Sequence, residues 1–404
     1  MTTQKNRIES LTAGILPEIT EIRRRLHREP ELSFHEVKTS AFIKETLTRW
    51  GIPFKAPYVT TGLMVVIQGK GKEGKVIGLR ADMDALPVTE ATGLPFASVN
   101  RGVMHACGHD MHMSSLLGTL KILNELKEEF TGTVLGIFQP GEEKLPGGAG
   151  LMLEEGIFSE YTPDILLAQH VLPELDAGTI GMRPGRYMAS SDEVYLTVKG
   201  RGGHGAIPER INDPVLMTAH ILITLQQEIN RKAPKGIPTV LSFGKVLANG
   251  AVNVIPNEVS VEGTFRTMDE NWRDEAHEMI IRLAEGISTT LGGSCEVNIM
   301  RGYPVLENNP RVTALAHDYA TELLGSSHVV PLDIRMTAED FAWFSRKYPS
   351  LMYRLGVRTP DTDRTFSLHA PDFVADETAL KTGISTMTWL AMRFLDRGLM
   401  LDQL

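Results

Sequence analysis

Short apolar runs alternate with helical patterns through the first half of this 404-residue chain. The strand candidates are GLMVVIQG (62–69), VIGLR (76–80), GTVLGIF (132–138) and DILLAQHV (164–171). A helix is predicted at 112–130, where Leu and Lys recur at helical spacing. Strands that alternate with helices usually form a largely parallel sheet covered by helices on both faces. The pattern therefore predicts an α/β domain built on such a sheet.

A different order of elements begins near residue 190. Strands are predicted at 193–200, 239–248, 258–267 and 295–302, and helices at 213–229 and 272–291. This β-α-β-β-α-β order is typical of a ferredoxin-like α+β sandwich. The first pattern then returns, with a helix at 310–324, a buried strand at 352–357 and a closing helix at 376–395. We expect one discontinuous domain, 1–189 and 301–404, interrupted by a small domain inserted at 190–300.

Composition excludes several classes of protein. A formal net charge of -9 argues against a general nucleic-acid surface, which needs a positive field. The two cysteines, Cys107 and Cys295, are too few for a secreted disulfide scaffold and favour a reducing cytoplasm. The N-terminal segment 1–31 is predicted as an amphipathic helix, and no stretch reaches the roughly 18 apolar residues of a membrane span. We expect a cytoplasmic protein with no nucleic-acid or membrane partner.

Polar side chains follow several of the predicted strands. Asp82 and Asp84 come after VIGLR, Glu142 and Glu143 after GTVLGIF, His170 at the end of DILLAQH, and His369 after MYRLGV. Ligands of open α/β sheets bind at the carboxyl ends of the strands. Parallel strands would bring these residues to one rim of the sheet.

The segment HACGHDMH (105–112) adds a thiol and imidazoles to this set. In an extended segment Cys107 and His109 would point to the same side. Alone, such a pair is more often a buried thiol beside a surface histidine. Thiolate, imidazole and carboxylate together suit a transition-metal dication. The predicted metal ligands are Cys107, His109, Glu143, His170 and His369.

Other polar residues are candidates for supporting roles. On an extended chain Glu142 and Glu143 would face opposite sides, so one could bind metal while the other takes a proton from water and passes it to a leaving nitrogen. An isolated pair of glutamates in a Gly/Pro loop is usually just solvated. Asp84, and less strongly Asp82, could orient a ligand histidine, or serve as a ligand or a helix cap.

The inserted domain carries its own candidates. GRGGHGAIP (200–208) places His204 in a glycine-rich turn, where a backbone can approach a ligand closely. Asn253 and Arg266 lie near predicted strands, and a guanidinium suits carboxylate recognition. An incidental histidine and a solvated arginine are the alternatives.

Six motifs occur in a characteristic order: HACGHD, FQPGEE, GRGGHGAIP, NVIP, GTFRT and AEDF. Together they resemble the M20 metallopeptidase family, and most of all its amidohydrolase branch of hippurate hydrolases, N-acyl-L-amino acid amidohydrolases and plant auxin-conjugate hydrolases. The resemblance runs from 27–36 to 368–373, nearly the whole chain. It implies a catalytic α/β domain with a binuclear metal site and a smaller lid domain that also mediates dimerisation.

The resemblance also implies roles for individual residues. It assigns metal ligation to the same five residues and the general base to Glu142. In these enzymes metal-bound hydroxide attacks the amide carbonyl, and the base then protonates the departing amine. His204 is expected to reach the partner subunit's active site and stabilise the oxyanion. Asn253 and Arg266 are expected to meet the substrate carboxylate.

The sequence departs from the family pattern at two places. PGEEKLPGG stands where PAEEG is more frequent, and Thr337 stands where a small residue is usual in the late motif. Both are predicted near the pocket, so the relatives' substrates do not transfer directly. The Cys ligand replaces a carboxylate of other M20 branches, which leaves zinc, manganese, cobalt and nickel open.

These observations predict a metal-dependent amidohydrolase that acts on linear amides. Its substrates would be N-acyl amino acids with an acetyl, benzoyl or similar acyl group, and its products a carboxylic acid and a free amino acid. We expect two divalent ions per subunit and a homodimer formed through the lid. The alternatives are a dipeptidase or N-acetyl-diaminopimelate deacetylase of the same fold, a hydrolase with Cys107 as nucleophile, and a non-catalytic metal-binding protein.

Overall fold

The computed structural model describes residues 2–71, 73–360 and 366–396. Its α-helices are α1 (Thr2–Arg28), α2 (Val37–Arg49), α3 (His109–Glu125), α4 (Gly148–Glu154), α5 (Pro214–Lys232), α6 (Glu270–Thr290), α7 (Pro310–Leu324), α8 (Ala342–Ser345) and α9 (Ala379–Asp396). Its strands are β1 (Phe54–Tyr58), β2 (Gly62–Gln68), β3 (Val76–Asp82), β4 (Thr133–Gln139), β5 (Ile165–Asp176), β6 (Ile180–Met182), β7 (Gly185–Met188), β8 (Asp192–Lys199), β9 (Gly203–His204), β10 (Thr239–Leu247), β11 (Val254–Ile255), β12 (Glu258–Thr267), β13 (Ser294–Arg301), β14 (Leu306–Asn308), β15 (Val329–Pro331) and β16 (Ser350–Arg358).

The chain divides into two compact units. One comprises Met1–Gly185, Glu307–Asp333 and Asp340–Leu404, and the other Arg186–Leu306 and Ile334–Glu339. These bounds differ from the predicted junctions at 189/190 and 300/301, because backbone contacts extend the second unit at both ends. The Ala189 amide donates to the carbonyls of Arg335 and Thr337 at 3.0 and 3.1 Å. The Val305 amide donates to Glu270 Oε1 at 2.8 Å.

The first unit is built on an eight-stranded sheet in the order β1-β2-β4-β3-β5-β16-β6-β15. The central strands β4, β3, β5 and β16 run parallel to one another, whereas β2 and β1 add antiparallel strands at one edge. At the other edge β6 is antiparallel to β16 and parallel to β15. The predicted α/β class with a largely parallel sheet is therefore confirmed.

Helices cover this sheet and bury its central strands. Every residue of β4 is buried, as expected of a strand covered on both faces. Helix α3 is buried over most of its length and packs against α1, α9 and β3. Because α3 begins at His109, within the HACGHD motif, its packing holds that motif at the carboxyl ends of the parallel strands.

The second unit contains a four-stranded antiparallel sheet in the order β10-β12-β8-β13. Helices α5 and α6 pack together and against this sheet, which gives the predicted ferredoxin-like arrangement. Residues of β8 alternate between buried and half-buried, because one face meets the helices. Among the described residues, no helix combines the length and the apolar character that crossing a membrane requires.

Candidate metal centre and active site

A left-handed turn places the thiol and the first imidazole of the site. Gly108 has φ 79°, and a Cβ atom there would lie 2.6 Å from Cγ2 of Val171, so only glycine fits. His109 then begins α3. The expectation that Cys107 and His109 lie in an extended segment is wrong. They approach each other because the chain reverses at Gly108.

Five donor side chains converge at this turn. The donor atoms of Cys107, His109 and His170 lie within 4.8 Å of one another, and so do those of Cys107, Glu143 and His369. The Cys107 Sγ atom is 3.4 Å from His170 Nε2. Glu143 Oε1 is 3.3 Å from His369 Nε2. The structure thus brings together all five side chains that the sequence predicts as metal ligands.

Hydrogen bonds fix which imidazole nitrogen faces the centre. His109 Nδ1 donates to the Asp84 carbonyl oxygen at 2.9 Å, and His170 Nδ1 donates to the Val171 carbonyl oxygen at 2.8 Å. A proton on each Nδ1 leaves the Nε2 lone pair available. Both imidazoles are therefore oriented as metal-binding histidines usually are.

His369 reaches the same centre from a loop in a constrained conformation. Its φ is 65°, in the left-handed region that non-glycine residues seldom adopt. The His369 amide donates to the Ala106 carbonyl oxygen at 2.9 Å, which joins this loop to the HACGHD segment. More than half of its side chain is exposed, so the centre is open to solvent on this side. Strain of this kind is common where a ligand must be held in place.

The donor atoms themselves fit a divalent ion. His109 Nε2 and Glu143 Oε1 are buried, 3.8 Å apart, and neither has a hydrogen-bond partner. Buried polar atoms in folded proteins are almost always paired. A dication between them would satisfy both atoms, and thiolate, imidazole and carboxylate are suitable donors for it.

The electrostatics of the pocket also favour a bound cation. Burial opposes the charged form of His109, but Asp82, Asp84 and Glu143 outweigh it and raise the pKa of His109 to about 10. Burial, together with Glu143 and Glu142, raises the pKa of the Cys107 thiol well above its usual value. Nearby carboxylates contribute to both shifts, and a metal ion would neutralise their negative charge.

Glu142 lies beside the donor cluster, on the loop that follows β4. It is 6% exposed, and its Oε1 accepts from the Asp340 amide at 3.4 Å. A carboxylate oxygen of Glu142, one of Glu143 and a nitrogen of His109 all lie within 4.8 Å of one another. The loop bends here, so the expectation of an extended segment is wrong. Both glutamates consequently face the same region, one residue apart.

Asp84 and Asp82 support the donors in different ways. Asp84 Oδ2 accepts from the Glu143 amide at 2.9 Å, while its backbone carbonyl accepts from His109. Asp82 accepts from His112 Nδ1 at 2.6 Å and pairs with Arg80 Nη1 at 2.7 Å. Asp84 thus touches two predicted ligands, whereas the bonds of Asp82 lead to the layer beneath them.

The layer beneath the donors consists of buried polar residues that the sequence did not predict. Buried Arg80 pairs with Asp82 and, at 2.9 Å, with Asp340 Oδ1, to which Gln139 Nε2 also donates. His112 Nε2 accepts from the Val171 amide at 2.9 Å, so both nitrogens of that imidazole have protein partners. An arginine inside an apolar strand and the aspartate of AEDF were signals that could have indicated the layer.

The second unit holds the other predicted residues. The antiparallel strands β9 and β11 pair His204 with Val254, and the Ala206 amide donates to His204 Nδ1 at 3.1 Å. Asn253 is exposed, and its carbonyl accepts from the Gly205 amide at 3.0 Å. Arg266 Nη1 donates to the Met336 carbonyl at 3.4 Å. The roles of these residues stay predictions.

Comparison with known proteins places the chain among metal-dependent hydrolases. An N-acetylcysteine deacetylase of Bacillus subtilis is 37% identical over 93% of this chain and 96% of the relative. An N-acetyldiaminopimelate deacetylase of Enterococcus faecalis is 36% identical over 92% of this chain and 96% of the relative. The crystal structure of the Bacillus subtilis YXEP protein, described as a dinuclear metal-binding peptidase of the M20 family, matches 95% of this chain and 99% of its own. Its TM-score is 0.81 at 34% identity.

The match to a model of a whole protein family also indicates a hydrolase. The model of Peptidase family M20/M25/M40 matches residues 78–393, which include the five donor side chains and Glu142. With the fold and the donor cluster described above, this match identifies the chain as a hydrolase that belongs to peptidase family M20/M25/M40.

Proposed function

We propose that the chain hydrolyses the amide bond of N-acyl amino acids and releases a carboxylic acid and a free amino acid. The observation that carries the proposal is the convergence of five donor side chains beside a buried glutamate. Membership of the M20 family and two deacetylase relatives at 36–37% identity support amide hydrolysis. That the substrate consists of an acyl group joined to an amino acid is the more specific part of the proposal.

Cys107, His109, Glu143, His170 and His369 would hold two divalent ions. These residues form two donor groups that have Cys107 in common, and each group could hold one ion. The YXEP structure, described as dinuclear, supports this number. When bound, such ions supply Lewis-acid polarisation of the amide carbonyl and of water. Zinc, manganese, cobalt and nickel all suit this mixed donor set.

Glu142 handles the proton in this proposal. Its carboxylate takes a proton from the attacking water and delivers it to the departing amine nitrogen. The Asp340 amide, held by the Arg80 and Gln139 contacts to the Asp340 side chain, orients Glu142 Oε1. Folding therefore orients the Glu142 carboxylate before the substrate binds.

His204 stabilises the oxyanion that forms at the carbonyl. The Ala206 amide occupies the lone pair on Nδ1, so the proton lies on Nε2, where it can be donated. We further propose that His204 acts in the partner subunit's site of a homodimer formed through the lid. Asn253 and Arg266 then bind the substrate carboxylate, for which a guanidinium is well suited.

The surroundings of Cys107 oppose a cysteine-nucleophile mechanism. Reactive cysteines lie in electropositive, partly exposed sites that stabilise the thiolate. Cys107 is instead buried among carboxylates, and both factors raise the pKa of its thiol. A metal ion would reverse this and stabilise the thiolate as a ligand.

The decisive variant is Glu142→Gln, which keeps the shape of the side chain and removes the base. We expect bound metal to stay at the wild-type level and kcat to fall by about 10²–10⁴. The matched control is Glu154→Gln, an exposed glutamate on α4, which should leave both unchanged. Both variants and the wild type would be assayed with N-acetyl and N-benzoyl amino acids and with dipeptides.

Each outcome of this assay has a defined meaning. Near-normal turnover by the Glu142→Gln variant would exclude Glu142 as the base. Faster hydrolysis of dipeptides than of acyl amino acids would favour the dipeptidase alternative. A metal-loaded wild-type protein that cleaves none of these amides would refute the proposed function.

A further inference from the structure

The turn between α1 and α2 carries a buried carboxylate that the mechanism does not use. Glu36 is fully buried, and Ser33 of the same turn is 8% exposed. Burial and the nearby Asp84 carboxylate raise the pKa of Glu36 to about 7. Burying an acid in this way costs stability, so its contacts call for an explanation.

Those contacts lead to the loop that bears both glutamates. Glu36 Oε1 accepts from the Gly141 amide at 2.9 Å and from the Phe34 amide at 2.9 Å. Its Oε2 accepts from Thr61 Oγ1 at 2.8 Å. Because Gly141 directly precedes Glu142, the Glu36 carboxylate fixes the backbone at the start of the bend.

Gly141 itself can adopt only a narrow range of structures. Its φ is 61°, and a Cβ atom there would lie 2.4 Å from the ring of Phe34. The Phe34 ring thus lies against one side of Gly141 while Glu36 binds its amide. Phe34 also has a positive φ, 67°, which shows that the turn is held in an unfavourable conformation by these contacts.

A second contact runs from the same turn to the other end of the bend. Ser33 Oγ donates to Asp84 Oδ2 at 2.6 Å, and that oxygen also accepts from the Glu143 amide at 2.9 Å. The turn therefore holds the amide before Glu142 through Glu36 and the amide of Glu143 through Asp84. Groups that hold ligand-bearing segments in this way commonly change metal affinity or activity by 10–100-fold when they are removed.

We propose that Glu36 is a positioning residue for amide hydrolysis, which fixes the Gly141–Glu143 bend so that Glu142 and Glu143 face the donor cluster. The inference rests on the proposed function, and it adds a residue that lies outside the metal ligands and the base. Glu36 acts through the backbone of Gly141, and Ser33 gives parallel support through Asp84.

The test compares Glu36→Ala with Glu36→Gln. The alanine variant loses every contact, whereas the Gln Oε1 can still accept from both amides and its NH₂ can donate to the Thr61 hydroxyl. We expect kcat of Glu36→Ala to fall about 10–100-fold with KM within about twofold, and Glu36→Gln to restore most of it. Glu31→Ala is the matched control, because among the described residues the hydrogen bonds of that carboxylate go to Thr39 and to no residue of the site.

A second readout does not depend on activity. Amide hydrogen exchange across residues 138–145 would be measured in the metal-free protein. We expect faster exchange in Glu36→Ala, and wild-type rates in Glu36→Gln and Glu31→Ala. If Glu36→Ala does not fold, Ser33→Ala removes a single hydroxyl and should accelerate exchange in the same segment.

Two results would overturn the inference. One is an alanine variant with wild-type kcat and wild-type exchange across the bend, even if its melting temperature falls. The other is a glutamine variant as impaired as the alanine variant in both measurements. A wild-type protein without amidase activity would instead refute the proposed function, while the exchange experiment would still test the position of the bend.

Discussion

Hydrogen bonding distinguishes a metal-binding histidine from a structural histidine on the same helix. His109 and His112 both lie on α3 and are buried. His109 donates through Nδ1 and leaves a buried, unpaired Nε2, whereas His112 has protein partners at both nitrogens. A metal ion needs a free lone pair, so only His109 can bind one without breaking an existing hydrogen bond.

For this single residue, we predict that the His109→Ala variant binds much less metal than the wild-type protein. Removing a side chain that binds the metal directly should weaken metal affinity by more than about 100-fold, since removing a group that only orients such a side chain weakens it about 10–100-fold. Metal content after dialysis would be measured by mass spectrometry, with His317→Ala, an exposed residue of α7, as the control. Unchanged metal content in His109→Ala would refute its assignment as a ligand.

Among the elements, strands were easier to predict than turns. β2, β3, β4 and β5 begin within one residue of their predicted positions, because continuous apolar runs mark buried strands. The turn at Gly108 depends on its contact with Val171, which is distant in the sequence. The bend at Gly141 likewise depends on Glu36 and Phe34. Motif spacing indicated which residues meet, but only tertiary contacts decide how.

The paired strands β9 and β11 carry the histidine for which we predict a catalytic role. His204→Ala should lower kcat about 10²–10³-fold, because the Nε2 proton no longer stabilises the oxyanion. Bound metal and melting temperature should stay unchanged, since the side chain is exposed and lies in the unit without the donor cluster. His328→Ala, an exposed histidine of the other unit, is the control. A fully active His204→Ala enzyme would exclude the oxyanion role.

For the whole molecule, the order of helices and strands could be predicted from the sequence, whereas the buried polar contacts beneath the donor side chains could not. The alternation of helices and strands, with an inserted β-α-β-β-α-β segment, is what the structure contains. The pairing of Arg80 with Asp340 spans 260 positions and has no local pattern that would predict it. The segment Ile334–Glu339 belongs to the second unit although the residues on both sides of it belong to the first, and no local pattern predicts this. Long-range polar contacts are decided by the folded geometry.

The central claim is that five distant residues hold divalent ions at one centre. The most direct measurement is anomalous scattering from crystals of the wild-type protein loaded with zinc or manganese. The account predicts two peaks among the donor atoms of Cys107, His109, Glu143, His170 and His369. Peaks elsewhere, such as between Asp82 and His112, or no peak in a protein that still cleaves acyl amino acids, would contradict it.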